Sequence, residues 1–280
     1  MALPALKEAL GLLKKLPVLW IPGLVAGLLG AGLWILLFTS GTFFASRLII
    51  IFSLVILLFI AGMLGIIKKG EGGFGVLVRE GVRYYFRVLL PQIVIVFAVT
   101  LAVLFLMMVA TLAIGGAPDI SILSLISLVI IIPALFFTVF YDTAAVFEDL
   151  KVLDSIRRSI NVVVTNAGNV IRFFIICAVC CFAIIFALMI VWEAFLYDKL
   201  QPITTFNETQ MAAFTPDQFI ALVGQDGMWI TAVIIFIGML ILVPLITMYK
   251  ACFYRKIAGS PVVIQQVTGE YDSKGRWYKY

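Results

Sequence analysis

KKGEGGFGVLVREGVRYYFRVLLPQIVIVFAVTLAVLFLMMVATLAI, residues 68–114, holds both halves of the pattern that decides the fold. Five basic residues, Lys68, Lys69, Arg79, Arg83 and Arg87, crowd its first twenty positions, and no charge follows as far as Ile114. About 20 consecutive apolar residues suffice to cross the hydrocarbon core of a bilayer. The stretch therefore reads as an amphipathic approach along the membrane surface that leads into a span. Working outward in both directions, the same reading places six spans at about 17–39, 47–67, 88–114, 121–147, 169–197 and 228–254. GGAPDIS at 115–121 separates the third from the fourth, because Gly-Gly, Pro and Asp together make a strong turn signal.

Composition agrees with that reading. Of the 280 residues, 64% are hydrophobic and 12% charged, and the mean hydropathy is +1.18. Soluble domains average roughly 45–50% apolar and about 25% charged residues. The formal charge of +5 could suggest nucleic acid as a partner, but the basic residues fall between apolar spans instead of forming a soluble patch. No nucleic-acid partner is expected; membrane lipids are.

The basic residues also set the orientation. Placed on the six spans, all of the 20 except Arg47 and Lys199 lie on one side, and the positive-inside rule makes that side cytoplasmic. The expected fold is thus an all-α, polytopic bundle of six transmembrane helices in a cell membrane, with both termini in the cytoplasm. Residues 1–255 form a single transmembrane domain and 256–280 a cytoplasmic tail. An apolar run after a charged start could also be a signal peptide, but the run at 16–38 is longer than a signal peptide's apolar core and suits a span better.

Three surface helices are expected to precede spans one, three and five. The segment LKEALGLLKKLPVLW (6–20) resembles VREGVRYYFRVLLPQ (78–92), with Lys7-Glu8 falling on Arg79-Glu80 and Lys15 on Arg87. A looser third copy is DSIRRSINVVVTNAGNVIRFF (154–174). Surface helix, span, outer loop and span would then repeat three times in parallel.

Groups that could carry chemistry are few. The chain has no histidine, so Ser-His-Asp, Cys-His and histidine-metal sites are absent. Cys177, Cys180 and Cys181 have helical spacing, but no carboxylate close by completes a metal shell, and they read as packing residues. GEGGFG at 70–75 lacks the preceding strand that a phosphate-cradling loop requires. Neither a cofactor nor a catalytic residue is expected.

Charges at membrane depth are the stronger signal, since a charge in hydrocarbon is costly. Asp142 in span four and Lys250 in span six lie at similar depths below Pro133 and Pro244. They form either an ion pair or the lining of a polar pocket, unless both snorkel to the interface. Arg157, Arg158, Arg79 and Arg83 are candidate contacts for lipid headgroups. In the outer segment, Asn207-Glu208-Thr209 fits the N-glycosylation acceptor pattern, and Thr215 with Pro216 can start a helix.

One resemblance covers most of the chain. A span ending in an acidic residue, then a helix of the form A-x-x-x-S-x-x-L, a short Asn/Gly turn and another span, is matched here by Glu148, Ser155, Arg158, Ser159 and the TNAGN turn at 165–169. This resembles a superfamily of mostly uncharacterised prokaryotic and archaeal membrane proteins. It includes YciC-like proteins and the membrane domain fused to some glycerophosphodiester phosphodiesterases. The final span, PLITMYKACFYRKI, is similar to that group's closing span. The resemblance implies a fold more than an activity, and no phosphodiesterase domain is present. With the surface helices, it implies a non-enzymatic scaffold or lipid-binding module of envelope or lipid homeostasis. The alternatives are a transporter or channel for a small solute or lipid, and a membrane subunit contacted through the tail YDSKGRWYKY (271–280).

The topology is tested by labelling single cysteines introduced into a cysteine-free background. A cysteine at position 210 should label from outside intact cells, and one at position 75 should label only after permeabilisation. Outside labelling at 75 overturns the assignment.

Overall fold

The structure, a computed structural model, describes residues 1–114, 116, 119–259, 269–271 and 277–279. The first surface helix, α1 (Ala2–Lys15), is followed by a single tight turn at Pro17–Trp20 and by α2 (Ile21–Ser40). Then come α3 (Thr42–Lys69), α4 (Phe74–Ile114), α5 (Ile120–Thr138), α6 (Tyr141–Phe147) and α7 (Val152–Thr165). The chain continues through α8 (Ala167–Thr204), α9 (Glu208–Ala213) and α10 (Pro216–Ala258). The fold is all-helical, and six helical stretches are long and apolar enough to cross a membrane: 17–40, 42–69, 74–114, 121–147, 167–203 and 218–258. In the tail, Gly269–Tyr271 pairs antiparallel with Trp277–Lys279. Residues 272–276 and 280 of the tail segment proposed as a contact, and 115, 117 and 118 of the predicted turn, lie outside the described residues.

Three local departures from the expected elements have physical causes. The surface helix at 78–92 does not end before span three but runs straight into it as α4, with Pro91 inside the helix. Leu77, Gly81, Tyr84, Val88 and Pro91 are all buried, mostly against α3, and this packing carries the helix through a residue that removes one backbone hydrogen bond. Span four, placed at 121–147, breaks after Thr138, five residues past Pro133, and resumes at Tyr141. The outer segment at 198–227 is largely helical. Thr215 caps α10 with a reciprocal Gln218 bond, and Gly224, at φ 65°, breaks the helix before its span.

The apolar core lies at the basic end, where α1, α6 and α7 meet the ends of α3, α8 and α10. Toward the other end the spans separate. In lateral order α5 lies against α4, then α3, α2, α10 and α8. α5 and α8 form the two flanks and meet near their basic ends, where Phe136 stacks on Phe174 at 5.4 Å. Among the described residues, none is buried from 92 to 139 or from 174 to 195. Amphipathic α1 and α7 explain this distribution: water at the membrane surface drives their apolar faces into contact, whereas lipid offers no such drive between spans.

Where spans do touch, small residues let the backbones approach. A Cβ on Gly27 of α2 would stand 2.7 Å from the Phe236 carbonyl oxygen of α10, and one on Gly81 of α4 would stand 2.7 Å from the Leu58 carbonyl oxygen of α3. Backbone atoms cannot yield as a side chain can. Gly81→Ala should therefore lower the melting temperature in detergent, at a cost of about 1–3 kcal/mol for overpacking. Gly11→Ala, with no atom near its added methyl, should hold or raise it. Equal behaviour of the two variants contradicts the close crossing.

Candidate functional site

The break in span four creates the site. Where the helix lapses, the Phe140 N–H donates to Ser159 Oγ of α7 at 3.1 Å, and the Ser159 hydroxyl donates to the Phe137 carbonyl at 2.9 Å. Ser159 is fully buried, so this one hydroxyl satisfies a donor and an acceptor that the broken helix would otherwise leave bare. The Ala144 N–H then bonds the Phe140 carbonyl at 2.8 Å, and α6 begins.

Asp142 lies in the first turn of α6. Its Oδ1 accepts the Thr143 N–H at 2.7 Å and the Thr143 hydroxyl at 3.1 Å, and its Oδ2 accepts a hydrogen bond from Lys250 Nζ. The two residues singled out in the sequence are thus brought together as an ion pair, with side chains 7% and 17% exposed. Beside the pair on α10, an aromatic knot packs around Tyr249 and Phe253. Phe173 stacks on Phe253 at 4.8 Å and lies 4.7 Å from Tyr249, and Phe140 lies 5.6 Å from Tyr254. Among the described residues, the buried Tyr249 hydroxyl has no hydrogen-bond partner.

Above the pair the lining is apolar. A cavity of about 280 Å³ opens between α2, α3 and α10, lined by residues that include Ala26, Gly30, Phe52, Ser53, Met239 and Val243. Met239, Val243 and Lys250 recur at helical spacing on α10, so the Lys250 backbone lies about 10 Å along the helix from Val243 on the same face.

Three further ion pairs join the surface helices to span ends. Glu8 of α1 meets Lys256 at 2.9 Å and also Arg255 at the end of α10. Glu80, only 1% exposed, meets Lys69 at the end of α3 at 2.6 Å, with Arg79 at 3.4 Å and Arg83 at 3.8 Å. Arg158 of α7 meets both oxygens of Glu148 at 3.0 Å, just past α6, and also donates to the Ala258 carbonyl at 3.3 Å. Beside these, Asp149 (φ 53°) bridges Lys68 and, at 2.7 Å, Arg87. The bond from Lys68 holds the Asp149 carboxyl below its ordinary range despite partial burial. Burial would raise the Glu8 carboxyl, but Lys256 and Arg255 outweigh it and hold it low.

The other residues chosen from sequence lie apart from the buried pair. Arg79 and Arg83 are exposed beside Glu80. Arg157 is exposed with no ion pair among the described residues, whereas Arg158 is engaged by Glu148. Asn207 is exposed ahead of α9, at the end of the bundle away from the basic helices. Among the described residues, no group of three or more His, Cys, Asp or Glu is placed to hold a metal ion. Sequence reasoning passed over Glu80 as a buried anchor, though its alignment with Glu8 was the available signal. Ser159, marked in the sequence within the resembling stretch, closes the break between α5 and α6.

A buried ion pair costs most when one partner is removed and the other stays behind uncompensated. In a double-mutant cycle on thermal stability in detergent, Asp142→Asn and Lys250→Met should each destabilise by about 3–5 kcal/mol. The double variant should cost less than the sum. Additive effects contradict a coupled pair.

No curated protein and no solved structure matches the chain. The model of one family does, a domain of unknown function designated DUF7847, and the match covers residues 1–257. That span takes in every helix that builds the site, and the chain belongs to the DUF7847 family.

Proposed function

We propose that this membrane protein is a non-enzymatic lipid-binding module of the cell membrane, acting in envelope or lipid homeostasis with its basic end and both termini in the cytoplasm. One observation carries the reading: an apolar cavity between α2, α3 and α10 lies above a buried ion pair, next to spans that bury nothing over most of their length. Such a space suits an acyl chain, which needs apolar walls and no hydrogen-bond partners. The packed aromatic knot beside the ion pair favours a bound lipid over a polar conduit.

The three hairpins read best as parallel copies of one unit. Glu8, Glu80 and Arg158 are separated by 72 and 78 residues, and the same offsets relate the buried Ala9, Gly81 and Ser159. Kinship with the YciC-like superfamily fits the Glu148–Arg158 joint, which links two residues of the resembling stretch. A second reading, a transporter, is favoured by the interrupted fourth span, since broken helices often line substrate sites in transporters.

Lipid should co-purify with the protein in mild detergent, and Ser53→Phe or Gly30→Phe should at least halve the lipid carried per protein by filling the cavity. Unchanged lipid content in variants that stay folded defeats the lipid-binding reading. Solute flux in proteoliposomes that Lys250→Met abolishes would establish the transporter instead.

A further inference from the structure

The cleft between α4 and the start of α7 is distinct from the buried pair, and its walls divide sharply by chemistry. It encloses about 430 Å³ between Phe86, Arg87 and Leu90 of α4 and Asp149, Leu150 and Lys151 of the α6–α7 link. Along α4, Arg79, Arg83 and Arg87 recur every four residues, as do Val82, Phe86 and Leu90 beside them. That spacing gives a basic stripe and an apolar stripe side by side. Phe86 is 63% exposed, and α4 runs on from there into its span.

Tyr84 gathers the cations. Lys68 Nζ, Arg83 Cζ and Arg87 Cζ lie 5.3, 5.5 and 5.8 Å from its ring centre. Asp149 is the carboxylate that Lys68 and Arg87 share, and Glu80 is already engaged by Lys69. Lys151 forms no ion pair among the described residues. Positive charge is therefore in excess at the mouth of a cleft whose remaining wall is apolar and continuous with a transmembrane helix.

We propose that this cleft binds an anionic phospholipid, with the phosphate among Arg83, Arg87 and Lys151 and the acyl chains along Phe86 and Leu90. The charge excess calls for an anion, and the adjoining exposed apolar stripe calls for one that carries hydrocarbon. Asp149 holds Lys68 and Arg87 in place and leaves Lys151 to the incoming phosphate, with Arg83, 3.8 Å from Glu80 and exposed, beside it. The proposal shares the lipid-binding reading above but not its cavity, so the Ser53→Phe variant leaves this site intact and separates the two.

The test titrates the detergent-purified protein with dioleoylphosphatidylglycerol or dioleoylphosphatidylcholine and counts bound lipids by native mass spectrometry. Phosphatidylglycerol should bind more tightly. Arg83→Gln with Lys151→Gln should weaken it about 25-fold, at roughly fivefold per charge. Lys14→Gln with Lys15→Gln removes the same charge from α1 and should change little. Lys151→Gln alone should weaken binding about fivefold, which keeps the test decisive if the double variant misfolds. Equal losses in the α4 and α1 variants, no preference for the anionic lipid, or displacement by equimolar glycerol 3-phosphate each overturn the proposal.

Discussion

Apolar helices gain nothing from the hydrophobic effect once they are in lipid, because a neighbouring acyl chain is as good a surface as a neighbouring leucine. The architecture follows from that constraint. Side-chain burial, ion pairs and aromatic stacking concentrate where the chain meets water and polar groups must be reconciled with apolar ones. Along most of their length past the basic end, α4, α5 and α8 bury no described residue. Contacts there are isolated polar ties, such as Trp192 Nε1 to Thr231 Oγ1 at 2.8 Å and Lys199 to Asp226 at 2.9 Å. Removing them would loosen one end without touching the core.

Burying Asp142 and Lys250 is workable because each is satisfied. The carboxylate has donors on both oxygens, and the break that positions it is itself closed by Ser159. An interrupted helix in a membrane costs several kcal/mol for each bare backbone group, so that serine bears on the same energy as the ion pair. Both depend on α7 staying docked, which ties the buried charges to a surface helix.

Much of this was readable from residues. The number of spans follows from apolar runs punctuated by basic segments, and shared depth singled out Asp142 and Lys250, although it is α6, not α5, that brings Asp142 to α10. What escaped depends on geometry that periodicity does not encode. A helix break after Thr138 has no glycine at the lapse and only a distant Pro133, because its cause is a partner far along the chain, Ser159. The persistence of α4 through Pro91 likewise reflects packing on α3 and not any local preference. Glu80 looked like one acid among many bases, and only the closeness of Lys69 makes it an anchor. The opening between α2, α3 and α10 arises from how three helices diverge, which no single helix reveals.

The joints between surface helices and span ends differ in sign. α1 and α4 each present a carboxylate to basic span ends, Glu8 to Lys256 and Glu80 to Lys69. α7 reverses the arrangement, offering Arg158 to the acidic Glu148. Three surface helices thus dock on span ends that differ in charge. With α7 on the end of α3, arginine would face lysine; with α1 on the end of α6, two carboxylates would meet. Like charges brought together at a packed contact penalise the wrong partner more than they reward the right one. The reversal thus marks α7 off from the other two surface helices, whereas α1 and α4 share one sign.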